Sequence, residues 1–426
     1  MIVGCVKMVL FKQMGKITNF TVHEADYRSQ AKLSPEHFTR NRKMSFEELV
    51  FYILKNVKTS TATGLRHYFK ELGKVGITMS QQALSEAKQK LNPAAFKHLF
   101  KVATVAPMVQ HAEKRWCGYF LLAVDGSKIT LPADDSILEH FGAQGRGAKC
   151  EAAQASILYD VLNGFIFDGE IDKLKTCERQ MAVKHLKALR SHPKYKQSII
   201  IFDRGYASFD LMKKLEKANK RYVMRVRKKF NTTIDEAPLG STTCHIEQEG
   251  KRLKVRIIKL ELETGEIETL ITNLHQQSIT VEEFGELYFR RWGVETHYHY
   301  LKNRVQLENF SSRTVNGVKI DFYTTIYLMN MMTGVVIGVQ DEINKKYQEK
   351  DVKYDYKPNM NEVLSVLKDN FIVAIYNDND DEMAKAVAEI EKVAVTLVVP
   401  IRSGRKVPRK ANSRSSKYHH NQKNNA

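Results

Sequence analysis

The stretch AQASILYDVLNGFIFDGEID, residues 153–172, carries the most specific local signal in the chain. Two apolar runs flank Asn163-Gly164, a pair that favours the positive φ angles of a two-residue turn. The stretch therefore predicts two antiparallel strands joined as a β-hairpin.

Strand-like and helical segments continue on both sides of this hairpin. GYFLLAV (118–124) precedes it, and SIIIF (198–202) and RYVMRV (221–226) follow it, each with the length and composition of a strand. Helices are predicted over 176–189 and after a capping Ser208. The order strand, hairpin, helix, strand, helix, strand predicts a mixed sheet flanked by helices, an α/β domain.

The N-terminal part of the chain has a helical pattern instead. Ser45 and Glu48 have the spacing of a capping box, and apolar residues recur at helical spacing after them. Further helices are predicted over 63–72 and from Ser80 to the residue before Pro93. Three short helices with this spacing fit either a DNA-binding helix-turn-helix or an ordinary helical bundle.

The remaining segments differ in character. Residues 228–277 are rich in strand-forming residues around a Thr264-Gly265 turn, which predicts a β-rich insertion, and a helix is predicted over 281–305. The uncharged stretch FYTTIYLMNMMTGVVIGV (322–339) predicts a buried core helix rather than a membrane span. The last 26 residues, 401–426, contain eight Lys or Arg and no acid, which predicts a disordered basic tail.

Composition favours a polyanionic partner. The chain has 67 Lys and Arg against 48 Asp and Glu, a formal net charge of +19, and a pI near 9.5. Such a balance is typical of proteins that bind nucleic acid, although a solvated basic surface is the alternative. The five cysteines form no CxxC pair, so neither a disulfide framework nor a zinc site is predicted, and a reducing cytoplasm is expected. Neither a signal peptide nor a membrane is expected.

Three carboxylates have positions that suggest chemistry. Asp125 and Asp203 each follow directly on a predicted buried strand, so adjacent strands could bring both to one edge of the sheet. On a helix, Glu295 would share a face with Tyr288, Arg291 and Lys302. The alternatives are turn or cap aspartates and an exposed Arg291–Glu295 ion pair. If the three acids meet, they form a set of oxygen ligands of the kind that Mg²⁺ binds.

These motifs together resemble one known family. DGS at Asp125, DRGY at 203–206 and the pattern Y-x2-R-x3-E-x6-K that runs from Tyr288 to Lys302 are similar to the DDE transposases of bacterial insertion sequences. The last pattern matches the Tyr-Arg-Glu-Lys signature of the insertion-sequence-four family in residue type and in all three spacings. The resemblance covers about 45 to 339.

The resemblance implies an RNase H-like fold, interrupted before the Glu-bearing helix by the insertion. It also implies that Asp125, Asp203 and Glu295 are catalytic and ligate two Mg²⁺ or Mn²⁺ ions, which promote phosphoryl transfer. The side chains of Tyr288, Arg291 and Lys302 would hold DNA phosphates. No small-molecule substrate is expected.

The expected activity is binding of the element's terminal inverted repeats, metal-dependent strand cleavage and transfer of 3′-OH ends into target DNA. Two ends must be paired, so a homodimer on DNA is expected, in the bacterial cytoplasm and associated with the nucleoid. Relatives that form hairpin ends carry a tryptophan in the insertion, whereas Trp116 and Trp292 lie outside it. An aromatic residue such as Phe230 is the alternative to that tryptophan, so the sequence leaves a hairpin intermediate open. The alternatives are a catalytically idle, transposase-derived DNA-binding protein and an RNase H-like nuclease.

The predicted division of the chain follows from these assignments. It comprises a helical N-terminal DNA-binding domain (1–115), the first part of the catalytic domain (116–227), the β-rich insertion (228–280), the second part of the catalytic domain with the Glu-bearing helix (281–345), a C-terminal helical region (346–400) and the basic tail (401–426).

Overall fold

A computed structural model describes residues 8–402 apart from 41, 57, 146–149, 349, 351 and 378, and it leaves the side chains of Thr296 and His299 undescribed. The chain divides into two compact units, one formed by 108–308 and the other by 1–107 together with 309–426. The predicted basic tail lies outside the described residues from position 403 onward.

The strands of the described chain are β1 (Phe120–Thr130), β2 (Ala143–Gln144), β3 (Cys150–Asp160), β4 (Phe165–Lys173), β5 (Ser198–Phe202), β6 (Arg221–Arg225), β7 (Gly240–Gln248), β8 (Lys251–Glu261), β9 (Ile267–Thr272), β10 (Tyr356–Pro358) and β11 (Val398–Pro400).

The α-helices of the described chain are α1 (Val9–His23), α2 (Ala25–Gln30), α3 (Phe46–Leu54), α4 (Thr61–Glu71), α5 (Gln81–Gln89), α6 (Pro93–Leu99), α7 (Ala106–His111), α8 (Asp135–Phe141), α9 (Glu178–Arg190), α10 (Phe209–Lys217), α11 (Thr232–Glu236), α12 (Val281–Phe289), α13 (Trp292–Asn303), α14 (Val315–Gln348), α15 (Met360–Ile375) and α16 (Asp380–Thr396). A π-helical segment, Phe100–Val105, joins α6 to α7, and a 3₁₀ turn, Pro193–Lys196, precedes β5.

The 108–308 unit is built on a mixed sheet with β1 near its centre. Strand β1 pairs antiparallel with β3 and parallel with β5, which in turn pairs parallel with β6. The predicted hairpin is present as β3 and β4, and Gly164 at its turn has a φ of 79°. The sheet thus has three antiparallel strands, β4, β3 and β1, followed by β5 and β6, which run parallel to β1. Together with the helices packed against it, this order confirms the predicted RNase H-like α/β fold.

The strands predicted as an insertion extend this same sheet. Strand β9 pairs antiparallel with β6, and β8 and β7 follow in turn, so the order across the sheet is β2-β3-β1-β5-β6-β9-β8-β7. The β-rich segment therefore continues the hydrogen-bonded ladder of the main sheet.

One face of the sheet is covered by α12. Leu121 of β1 and Ile199 and Ile201 of β5 form a buried cluster with Phe284 and Leu287 of α12. Because strand side chains alternate between faces, this cluster shows which side of β1 and β5 faces α12. Against β3 and β4 the sheet also packs α9.

The other unit is helical. Its long helix α14 packs against α1, α3 and α6, and 83% of its apolar 18-residue window is buried, as expected of a core helix, although its length and composition would suit a membrane span. The predicted capping box begins α3, where the Ser45 hydroxyl accepts a bond from the Glu48 amide at 3.1 Å. In the partition by compactness, 309–345 groups with the N-terminal helices, whereas the six-part division from sequence stays a prediction.

Candidate active site

Asp125 lies inside a strand and not at a strand end. The parallel pairing of β1 with β5 stops at Val124 and Phe202, whereas the antiparallel pairing with β3 continues to Thr130. The prediction that the strand ends before Asp125 is wrong, as is the alternative of a turn at DGS, because β3 is long enough to keep pairing with this segment. Asp125 thus occupies the point where one neighbouring strand ends and the other continues.

Asp203 follows β5 directly and lies beside Asp125. The last parallel pair joins Val124 to Phe202, and each acid is the next residue of its strand. Neighbouring strands are about 4.8 Å apart, so the two aspartates stand on adjacent backbones. Asp125 is four residues beyond Leu121 and hence on the face covered by α12. Both aspartates are half-buried.

Helix α13 brings Glu295 to the same place. The Tyr298 hydroxyl donates to the backbone oxygen of Asp125 at 3.2 Å, and further along the helix the Lys302 ammonium donates to the oxygen of Lys128 at 2.6 Å. The helix therefore runs along β1 beyond the end of β5. Glu295 lies about one helical turn before Tyr298, near Asp125.

The pKa of Asp125 reflects mainly its burial and, to a smaller extent, the charges around it. Burial raises the pKa of Asp125 to about 7; Arg291 opposes this rise, whereas the negative charges of Glu295 and Glu178 add to it. Asp203 belongs to the same neighbourhood, because its charge acts on Tyr288 and on Arg291. The three predicted acids thus converge from β1, β5 and α13.

Arg291 and Tyr288 are buried within the site. Each is 3% exposed, and the Arg291 guanidinium lies 5.6 Å from the centre of the Tyr288 ring. One guanidinium nitrogen donates to Glu295 at 2.6 Å. The Nε and Nη1 atoms of Arg291 and the hydroxyl of Tyr288 are buried without a hydrogen-bond partner within the described part of the chain. Such atoms cost free energy until a ligand binds them.

The predicted continuous helix over 281–305 is interrupted. Helix α12 ends at Phe289 and α13 begins at Trp292, and at the junction the Arg291 amide bonds to the Tyr288 oxygen and the Val294 amide to the Arg291 oxygen. Bonds to the third residue back wind the chain more tightly than an α-helix. The expectation of one straight helical face from Tyr288 onward is therefore wrong, although the residues still converge.

Lys302 is half-buried and already partnered. Besides its bond to the Lys128 oxygen, its ammonium lies 3.6 Å from the Glu308 carboxylate, which also accepts a bond from the Thr130 amide at 2.9 Å. The positive charge of Lys302 therefore lies next to β1, at the edge of the site.

Two features escaped the sequence reasoning. Glu178, in the first turn of α9, has a carboxylate close to Gly126, where an added Cβ would stand 2.9 Å from its Oε1 atom. Beneath the site, the buried His185 bonds through Nε2 to the Ser156 hydroxyl at 2.9 Å and through Nδ1 to Asp168 at 2.7 Å. Ser156 in turn donates to the Asp125 oxygen at 3.3 Å.

The buried Ser-His-Asp chain is a support and not a nucleophilic triad. Ser156, His185 and Asp168 are each at most 1% exposed, so a substrate has no access to the hydroxyl.

The sequence contained one clue to Glu178, which was the glycine at position 126. An extended strand position does not by itself require glycine, so a neighbouring side chain could be the reason for it.

The acids suit a divalent cation chemically without being preformed around one. Among the described residues, no three His, Cys, Asp or Glu side chains have the spacing that holds a metal ion. The donors are nevertheless carboxylate oxygens, which Mg²⁺ and Mn²⁺ prefer, and their mutual repulsion at Asp125 is of the kind that a cation relieves. The residues therefore fit the ion by donor type, while Glu295 is bonded to Arg291 in this structure.

Comparison with known proteins assigns the family of the chain that carries these carboxylates. The family model described as Transposase DDE domain matches residues 116–331, and the chain belongs to this family. A relative named "Putative transposase for insertion sequence element IS4SA", from Synechocystis sp., is 25% identical over 145 residues, 33% of this chain and 41% of the relative. The chain thus matches less than half the length of that relative.

One solved structure is also similar. It is the cryo-EM structure of the piggyBac transposase synaptic complex with hairpin DNA, which has 11% sequence identity and a TM-score of 0.44 over 91% of this chain and 86% of that chain. A likeness this distant supports no argument about the site.

Proposed function

We propose that this protein is a DNA transposase of an insertion sequence, which cleaves the ends of its element and joins their 3′-OH groups to target DNA. The observation that carries the proposal is the convergence of Asp125, Asp203 and Glu295 where β5 ends beside β1. The chain belongs to the DDE transposase family, and this membership supports a catalytic role for the three acids.

The three carboxylates would hold two Mg²⁺ or Mn²⁺ ions, which supply activation of the attacking oxygen and stabilisation of the leaving one. The chain itself sets the position of the ligands. Asp125 is fixed by the pairing of its strand with β3 and by bonds to its carbonyl from Ser156 and Tyr298. Glu295 is held by Arg291 until a competing cation and phosphate arrive.

Arg291 and Tyr288 would bind DNA phosphate near the cleaved bond. The unpartnered Nε and Nη1 atoms of Arg291 and the Tyr288 hydroxyl support this role, because phosphate oxygens accept bonds from such donors. Binding would require the covering side chains to move, since both residues are buried. Lys302 would contribute a point charge at the β1 edge of the site.

DNA is accordingly the proposed partner, and the basic balance of +19 favours it. Pairing two ends of one element calls for two copies of the chain, so a homodimer on DNA is proposed. The cytoplasm, in contact with the bacterial nucleoid, is the compartment where that substrate is found.

The test uses purified protein and linear DNA that carries the sequence flanking the gene. Asp125→Asn, Asp203→Asn and Glu295→Gln should abolish Mg²⁺-dependent cleavage and joining and leave binding of the ends intact. The exposed Glu286→Gln, on α12, is the matched control and should cleave as the wild type does. Cleavage by any of the three variants at the wild-type rate would show that the assigned acids are wrong.

A further inference from the structure

Glu178 lies between the two aspartate motifs. An added Cβ on Gly126 would approach its Oε1 atom to 2.9 Å, and one on Gly205 would approach its Oε2 atom to 3.8 Å. Gly126 follows Asp125, and Gly205 belongs to the DRG segment that begins at Asp203. One carboxylate thus has an oxygen toward each of the two segments that carry the site's aspartates.

The glycine at 126 is explained by space rather than by backbone conformation. It lies in β1, where it pairs with Ser156, and its φ is not in the left-handed region. A side chain there would also meet the Gln154 amide at 2.9 Å. The absence of a Cβ therefore leaves room for the Glu178 carboxylate against the backbone of the residue that follows Asp125.

Helix α9 is fixed so that Glu178 keeps this position. His185, seven residues further and on the same helical face, is bonded to Ser156 of β3 and to Asp168 of β4. At the start of the helix, Gln154 donates to Glu178 at 3.2 Å, and Arg179 donates to the Gly205 oxygen at 3.3 Å. Glu178 is half-buried and is held by Gln154 of β3, while its neighbour Arg179 fixes the start of the helix to the DRG loop.

A second, independent observation indicates that a ligand binds here. Arg291 is 3% exposed, yet two of its guanidinium nitrogens are without a partner among the described residues, and its third bonds to Glu295. A buried guanidinium with free donors, next to carboxylates in excess of its own charge, suits an anion and a cation bound together. A phosphate with its divalent metal is such a ligand.

We propose that Glu178 is a fourth metal-binding carboxylate of this site and holds a divalent cation together with Asp125. The inference rests on the proposed function, because it places an additional ligand in the same metal site. In this arrangement α9 carries Glu178 on one side of the site, and α13 carries Glu295 on the other.

The test measures Mn²⁺ binding to the full-length protein without DNA, by electron paramagnetic resonance of the free ion. Glu178→Gln keeps the size of the side chain and its bond from Gln154 but removes the charge. It should raise the Kd for Mn²⁺ about tenfold or more, in line with the loss of a group that supports a metal site. Asp210→Asn, an exposed acid in the first turn of α10, is the matched control and should bind Mn²⁺ as the wild type does.

The melting temperature in EDTA distinguishes a metal-binding role of Glu178 from a role in folding stability alone. Removing a negative charge close to Asp125 relieves repulsion, so Glu178→Gln should melt at the wild-type temperature or above it and gain less than the wild type on adding Mn²⁺. A lowered melting temperature in EDTA, combined with wild-type Mn²⁺ affinity, would overturn the proposal.

Asp125→Asn separates the inference from the proposed function. If Asp125→Asn weakens Mn²⁺ binding and Glu178→Gln does not, the site stands with three acids and the role of Glu178 is refuted. If both variants bind Mn²⁺ as the wild type does, the metal site itself is refuted, and with it the proposed function.

Discussion

Replacing Gly126 by alanine tests whether the space beside Asp125 matters to catalysis. The new Cβ would lie 2.9 Å from Oε1 of Glu178 and 2.9 Å from Nε2 of Gln154. Contacts of this kind are comfortable at roughly 3.5 Å, so both side-chain tips must move by about half an ångström. Because flexible tips move easily, the loss of folding free energy should be about 1 kcal/mol, at the low end for overpacking.

The effect on cleavage should be larger than the effect on stability. Displacing the Glu178 carboxylate from Asp125 disturbs the ligands of the site, and small errors of position cost about tenfold to a hundredfold in rate. The assay is the initial rate of cleavage of end DNA at saturating Mg²⁺, with urea unfolding measured on the same preparations.

Gly205→Ala is the matched control for this prediction. It adds the same methyl group next to the same carboxylate, but its Cβ would stand at an ordinary contact distance of 3.8 Å from Oε2 of Glu178. We expect it to cleave at close to the wild-type rate. Equal rates for Gly126→Ala and the wild type, or equal damage from the two alanines, would refute the reasoning.

Three further predictions concern the supports of the site. His185→Phe leaves the buried Asp168 without its 2.7 Å bond and should cost about 3 kcal/mol or more in urea unfolding. Tyr298→Phe removes the 3.2 Å bond to the Asp125 oxygen and should cost about 1 kcal/mol in unfolding and slow cleavage, with Mg²⁺ affinity little changed. Gly293→Ala, whose Cβ would make no contact nearer than 3.8 Å among the described residues, should stabilise α13 by about 0.5 kcal/mol in thermal unfolding.

Each of these predictions has an outcome that contradicts it. A His185→Phe protein within about 1 kcal/mol of the wild type would mean that other groups are enough to hold the Asp168 carboxylate or that it is protonated. Wild-type cleavage by Tyr298→Phe would show that α13 is positioned without that hydroxyl. A destabilised Gly293→Ala would show that the tight junction before α13 needs glycine.

Local signals were enough to predict much of the fold. The hairpin follows from Asn163-Gly164, since the turn conformation depends on those two residues alone. The start of α3 follows from Ser45 and Glu48, whose capping bonds are both present. In each case the residues that decide the structure are neighbours in the sequence.

Other features depend on partners that are distant in the sequence. The course of β1 through Asp125 is set by the length of β3, and nothing local distinguishes this DGS from a turn. Likewise, the pairing of β9 with β6 joins the predicted insertion to the sheet, and alternating residues indicate a strand without its neighbour.

The candidate site shows the same division. Asp125, Asp203 and Glu295 could be selected because each has a positional signal and a matching family motif, although their roles stay a prediction. Glu178 had neither, because it matters only through the approach of α9 to Gly126. The interruption before α13 depends on packing around Arg291, which the helical spacing of the sequence does not reveal.

The two-sided pairing of β1 has a consequence for how the site responds to its substrate. Amides in a strand that is bonded on both edges exchange with solvent only through large openings, whereas the tight junction at Arg290 and Arg291 can rewind locally. Deuterium should therefore enter the backbone before α13 long before it enters β1. Asp125 would then follow directly on a slowly exchanging strand, whereas Glu295 would lie on a helix whose first residues exchange quickly.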